Sequence, residues 1–188
     1  GNTTWTRAGS PYIILGDIQV SLLRINPGVV VLLAGPFKIE VLSTIACAGT
    51  AQDPIVFRPQ TAGIPWKGFK FSRTPTGSSF TGCVIEGANE SGVTLSNCEP
   101  PTFTDCTFRL CSTPGSGGAI DANGVTTNVV LTRCSFLDNN SANHGGAVRV
   151  NAVSPAALMV DKCTFLRNAA NPSHADGNYV GGALWLQG

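Results

Sequence analysis

Four segments of this chain repeat one another, and no other feature constrains its fold as strongly. Phe80-Thr81-Gly82-Cys83-Val84-Ile85, Phe103-Thr104-Asp105-Cys106-Thr107-Phe108, Leu131-Thr132-Arg133-Cys134-Ser135-Phe136 and Val160-Asp161-Lys162-Cys163-Thr164-Phe165 share one pattern, their cysteines 23, 28 and 29 residues apart. A second motif follows the last three: Gly117-Gly118-Ala119-Ile120, Gly145-Gly146-Ala147-Val148 and Gly181-Gly182-Ala183-Leu184. Between the two motifs lies Phe-x-x-Asn, as Phe136 with Asn139 and Phe165 with Asn168, while Cys111 takes the Asn position after Phe108. A unit this short cannot bury its own apolar face, so it must stack on its neighbours.

Each unit holds three short alternating runs, such as Val129-x-Leu131, Cys134-x-Phe136 and Val148-x-Val150, bounded by Gly, Asn or Asp. Runs of this kind continue toward the N-terminus, at Ile18-Gln19-Val20, Ile39-Glu40-Val41, Ile55-Val56-Phe57 and Phe69-Lys70-Phe71. No unbroken 11-residue stretch carries helical apolar spacing. Three strands and three corners per turn predict an all-β, right-handed parallel β-helix of about six to seven coils, with an irregular N-terminal cap and no C-terminal cap. Cys83, Cys106, Cys134 and Cys163 are expected to form one inward ladder, and Ile85, Phe108, Phe136 and Phe165 the next. Asn139 and Asn168 belong to a corner where their amides bond the neighbouring coil. The paired glycines permit positive φ or close backbone approach at another corner. The spacing divides a single domain into residues 1–72, cap and divergent coils, and 73–188, the regular repeats. It also predicts a longer chain or assembly around it, because the last motif stops in mid-coil.

Composition narrows the function classes. The chain has 188 residues, of which 12% are charged, against roughly 25% in an average soluble domain. The net charge of +1 speaks against a phosphate-reading surface. The longest apolar run, residues 29–34, is strand-sized, so this segment is not expected to insert in a membrane. A chain poor in charge and rich in Gly, Ser, Thr and Asn points to β structure outside the cytosol.

Phe-x-x-Asn with Gly-Gly-Ala-Ile resembles the repeat pair of the polymorphic outer membrane proteins, autotransporter-type proteins whose passengers are β-helical adhesins. Ser10-Pro11-Tyr12-Ile13, Ile25-Asn26-Pro27-Gly28-Val29, Ala48-Gly49-Thr50, Pro54-Ile55-Val56-Phe57 and Trp66-Lys67-Gly68-Phe69 are similar to the N-terminal region of bacterial β-helix surface proteins. The resemblance implies the coil and an adhesive role. The same coil also serves lyases and hydrolases, so it does not choose a function.

Seven cysteines leave at least one outside any intrachain bridge. The ladder cysteines have parallel Cβ vectors and read as core thiols, whereas Cys98 and Cys111 are the disulfide candidates. No paired C-x-x-C spacing offers a zinc site, and no cofactor motif is present. Asp138 and His144 are the only catalytic candidates, as an acid/base pair, and the favoured reading of them is a polar turn packed with Asn139, Asn140 and Asn143. A β-helix hydrolase needs converging carboxylates. Here the equivalent positions Asp105/Arg133/Lys162 and Asp121/Arg149/Trp185 mix signs, which reads as coils pairing opposite charges. Trp185, between inward Leu184 and Leu186, is expected to face outward beside Arg149 and Asp121, either as a stacking platform for a sugar or partner side chain or as a ring covered by a further coil, a loop or a neighbouring subunit. His174 and Asp176 lie in an inserted loop, residues 171–179, and join this row as candidate partner or glycan contacts. Thr107, Ser135 and Thr164 form a single hydroxyl row, and without a second row ice binding is disfavoured. Asn2, Asn89 and Asn139 begin glycosylation sequons; Asn2 and Asn89 are the candidates, since Asn139 is committed to its corner.

These readings converge on a secreted or cell-surface module, non-catalytic, structural or adhesin-like, that binds a protein or carbohydrate partner. Two alternatives stand beside it. One is a fragment of a carbohydrate-active β-helix lyase or hydrolase. The other is a filament segment that assembles end to end or laterally through its C-terminal coil.

Overall fold

The computed structural model describes residues 2–73, 77–153, 155–170 and 182–187. All of its paired strands run parallel, and each turn of the chain crosses three faces. Face A is built by Phe69–Ser72, Val93–Ser96, Ile120–Val125, Val148–Ala152 and Leu184–Gln187. Face B holds Thr3–Trp5, Ser79–Thr81, Thr102–Thr104, Val129–Thr132 and Leu158–Asp161. Face C has seven rungs: Tyr12–Ile14, Val30–Leu33, Ile55–Pro59, Cys83–Glu86, Thr107–Arg109, Ser135–Leu137 and Thr164–Leu166. Between faces C and A runs a narrow ribbon of two-residue strands, Ser112–Thr113, Asn140–Ser141 and Ala169–Ala170.

Regular rungs reach further toward the N-terminus than the motif spacing does. Ile18–Ile25 and Ile39–Ala48 are long strands that pass from face A to face B without a break. The first half of Ile39–Ala48 pairs with Phe69–Ser72 and its second half with Ser79–Thr81. Thr3–Trp5 adds a parallel strand against Leu23, Arg24 and Ile25.

The inward positions form continuous columns. Ile85, Phe108, Phe136 and Phe165 stand in register on face C. The rings of Phe108, Phe136 and Phe165 stack at centroid distances of 5.0 and 4.8 Å. Cys47, Phe80, Phe103, Leu131 and Val160 form the matching column of face B. Burial of these side chains, roughly 1.5–3 kcal/mol for each that is fully buried, is the main cohesive term; at the last coil Phe165 is partly buried and Val160 exposed.

The corners are chemically distinct. Between faces B and C the left-handed residue is Gly82, then Asp105, Arg133 and Lys162 in successive coils, with φ between 52° and 57°. Between face C and the ribbon it is Gly87, Leu110, Asp138 and Arg167. A non-glycine residue there costs about 1–2 kcal/mol. Cross-coil ion pairs join Arg133 to Asp105 and Arg167 to Asp138, yet these are solvent-exposed and screened, so they contribute little. The backbone ladder supplies the rest: Asp105 N–H donates to Thr132 O at 3.0 Å and Asp138 N–H to Leu166 O at 3.0 Å. At the Gly-Gly corner the two residues divide the task. Gly145 has φ +58°, whereas a Cβ on Gly146 would lie 2.2 Å from the Gly182 carbonyl oxygen.

Candidate functional site

The outward positions of face A bring together the row that the sequence proposes. Register pairs Glu40 with Lys70, Lys70 with Thr94, Thr94 with Asp121, Asp121 with Arg149, and Arg149 with Trp185. At parallel-strand spacing of about 4.8 Å per rung, this row runs about 24 Å along the face. Two residues further on, Ser72, Ser96, Asn123, Asn151 and Gln187 form a second, uncharged row. Lys70 and Thr94 were not singled out by motif, because the front coils lack the repeat signature; their place follows from register alone.

The tryptophan lies at one end of the row. Its ring stacks on His144 at 4.8 Å and 18°, and the Arg149 guanidinium carbon stands 5.5 Å from its centroid. It is half-buried rather than fully displayed. Arg149 Nη1 donates to Asp121 Oδ1 at 2.8 Å, with side-chain exposures of only 19% and 22%. Burial pushes the Asp121 carboxyl above its ordinary range, and the Arg149 bond and charge oppose that shift. Asn151 Nδ2 donates to Asn123 Oδ1 at 2.8 Å, extending the polar network to the second row.

At the other end, a concavity of about 380 Å³ is walled by Asp17, Lys38, Glu40, Lys67, Lys70 and Glu90. Lys70 Nζ donates to the Glu90 carbonyl at 2.7 Å and to Thr94 Oγ1 at 3.0 Å. Burial lowers its pKa, and the Glu90 carboxylate opposes the shift. The six charges balance, so this end of the face is polar without a net sign.

The acid/base pair is not formed. Asp138 accepts both Nε and Nη2 of Arg167, at 2.6 and 2.8 Å, whereas His144 stacks on Trp185. The left-handed φ of 56° at Asp138 places it on the corner where coils exchange charges. That Arg167 contact holds its carboxyl below the ordinary range.

The proposed Cys98–Cys111 bridge is not formed either, because Cys111 is a thiol. Its Sγ contacts the Ile85 carbonyl oxygen at 3.6 Å and the Arg109 carbonyl oxygen at 3.5 Å. It thereby substitutes for the corner amide: Asn139 Nδ2 donates to Phe108 O and Asn168 Nδ2 to Phe136 O in the next two coils. Cys83, Cys106, Cys134 and Cys163 are also thiols, and each sulfur lies near the carbonyl two residues earlier.

Of the sequon residues, Asn139 is 1% exposed and fully bonded, Asn2 is exposed and Asn89 is half-buried. His174 and Asp176 lie outside the described residues. Among the described residues no group of three His, Cys, Asp or Glu side chains is arranged to hold a metal ion. A second hydroxyl row does exist, on face B: Thr81, Thr104 and Thr132 are in register beside Ser79 and Thr102. The motif alignment already carries Thr81, Thr104 and Thr132 at its second position, but they lie on face B and not on face C with Thr107, Ser135 and Thr164. Val130 and Met159 end one of its rows and Asp161 ends the other.

No curated protein and no solved structure matches the chain. A family model described as a right-handed β-helix region matches residues 66–186, the segment carrying the cysteine and Gly-Gly-Ala repeats. With nearly two thirds of its length covered by that match and the described strands paired in parallel from coil to coil, the chain belongs to the right-handed β-helix family.

Proposed function

We propose that face A is the recognition surface of a non-catalytic, extracellular or cell-surface module that binds a glycan or protein partner. The observation that carries this reading is the unbroken outward row Lys70–Thr94–Asp121–Arg149–Trp185, ending on a half-buried indole. An aromatic ring beside fixed donors and acceptors suits a sugar, whose apolar face stacks while its hydroxyls bond the adjoining side chains. A polysaccharide also matches the rung-by-rung periodicity of the row. The test is a glycan array probed with the folded chain and with Trp185→Ala and Asp121→Asn. Binding lost in both variants supports the assignment. Binding that survives both, or no binding to any glycan or surface protein extract, sinks it.

A catalytic reading has one observation in its favour. Burial moves Asp121 up and Lys70 down on the same row, with Thr94 between them. Incubating uronate-containing and neutral polysaccharides with the chain and following new reducing ends or unsaturated products would decide it. Turnover abolished by Asp121→Asn or Lys70→Met would replace the binding reading.

A further inference from the structure

A concavity of about 450 Å³ opens at the edge of face C, where residues of three successive coils meet under the 60–65 segment. We propose that it is a binding site for a small hydroxylated carboxylate, of the class of an acidic monosaccharide.

Charge supplies the first argument. The outward row here is Leu32, Arg58, Glu86, Arg109 and Leu137, so one carboxylate stands between two guanidinium groups. Arg109 engages it, donating Nε and Nη2 to Glu86 Oε2 at 3.0 and 2.7 Å. Arg58 is exposed, lines the cavity and makes no ion pair or hydrogen bond among the described residues. Arg58 and Glu86 are the charged residues that line the cavity, and Arg109, outside the lining, neutralises Glu86, so the Arg58 charge is left uncompensated at the wall. Planar donors in this arrangement match a carboxylate, which accepts two parallel bonds. Most other arginines of the coil, Arg7, Arg109, Arg133, Arg149 and Arg167, are committed to partners.

Unspent polar groups supply the second argument. The side chains of Gln60, Asn89 and Ser112 line the same cavity and make no hydrogen bonds among the described residues. The Asn89 Oδ1 atom is buried without a partner, a condition that is costly unless a ligand or water supplies the missing donor. The contrast is with Asn139 and Asn168, whose amides are used by the neighbouring coil. Pro59, Pro65 and Leu110 supply the apolar wall, with Leu110 57% exposed. Gly87 keeps the floor low: its φ is +68°, and a Cβ there would meet the Pro59 ring at 3.0 Å. A few unpaired polar groups, donors and the Asn89 acceptor, beside an apolar wall are the general form of a small-molecule site. No residue of this site belongs to the face A row, so the two proposals stand or fall separately.

The test is a titration of the isotopically labelled chain with D-glucuronate, and with its neutral methyl ester, followed by amide chemical shifts. Glucuronate is expected to shift the amides of Gln60, Gly63, Gly87 and Asn89, while the ester at the same concentration leaves them in place. Arg58→Gln is expected to weaken binding by about tenfold or more, the size of a charged hydrogen bond. Glu86→Gln acts in the opposite sense, because it removes the competing carboxylate and frees Arg109, so affinity rises several-fold. Equal binding of the ester, shifts confined to other residues, or no gain from Glu86→Gln would overturn the proposal even if the Arg58 variant fails to fold.

Discussion

A single amide, that of Asn139, closes the corner between face C and the ribbon. Its Oδ1 accepts the Cys111 N–H at 3.1 Å, and its Nδ2 donates to Phe108 O at 3.0 Å and to Asn168 Oδ1 at 2.9 Å. Asn139→Ala would strand the buried Cys111 N–H and Phe108 C=O, at about 2–4 kcal/mol for the two groups. Urea unfolding of the variant measures this directly; a loss under about 0.5 kcal/mol would show that water or a relaxed backbone replaces the amide. Asp121 and Arg149 make a different kind of prediction. Asp121 has its folded-state pKa raised by burial, so the folded chain binds its proton more readily than the unfolded one. Its effect on stability is then most unfavourable above the carboxylate range and fades as pH falls through it. Asp105 and Asp138 act in the opposite sense: their lowered values add stability above the unfolded pKa that is lost as pH falls. Arg149→Met leaves Asp121 half-desolvated without its main partner, a cost of about 1–3 kcal/mol at pH 7. Because protonation relieves that cost, the difference from the parent chain shrinks toward pH 4. Denaturation curves at the two pH values check it, and a constant difference would mean that the two side chains do not interact energetically.

At the scale of the element, the cysteine column shows what spacing reveals and what it does not. Cysteines 23 to 29 residues apart fixed the inward ladder, because period and face follow from stacking. Its chemistry follows from burial. Cys83 is pushed up by desolvation. For Cys106 the contact with Cys134 pulls down, while the contact with Cys83 and burial push up and prevail. Cys111 reaches about 12, chiefly through desolvation. A thiol held this way forms little thiolate and is inert. Cys163 is the most exposed of the seven, so iodoacetamide at pH 8 is expected to label it first in the folded chain. Peptide mass spectrometry would show this, and early labelling of Cys106 or Cys134 would mean that the coil opens there. Other elements were not legible. Ile39–Ala48 turns a corner without Gly, Pro or Asn, so nothing marks where it leaves face A. Arg133 and Lys162 occupy left-handed positions that local preference assigns to Gly, Asn or Asp, because the stacking of coils overrides it. The face A row was legible only where repeats align, at Asp121, Arg149 and Trp185. The face C cavity was invisible, because Arg58, Asn89 and Ser112 come from three coils and share no motif.

For the whole molecule, stacking makes stability nearly one-dimensional: each coil touches mainly the coils before and after it. Phe136 tests how far a perturbation travels. Its ring lies on Phe108 at 5.0 Å and on Phe165 at 4.8 Å, and it is fully buried. Phe136→Ala removes both stacking contacts and leaves a cavity, with an expected cost of about 3–5 kcal/mol. In a globular core that loss would be shared by the whole cooperative unit. In a coil whose interfaces add, it should fall on the neighbouring rungs: Thr107–Arg109, Ser135–Leu137 and Thr164–Leu166. Amide exchange would then accelerate in those strands and stay slow in Val30–Leu33 and Ile55–Pro59, three or more rungs away. Uniform acceleration across all seven rungs of face C would show instead that the coil unfolds as one unit. Binding at face A and at the face C cavity would then be coupled through global stability, because ligand at either site would protect every rung alike.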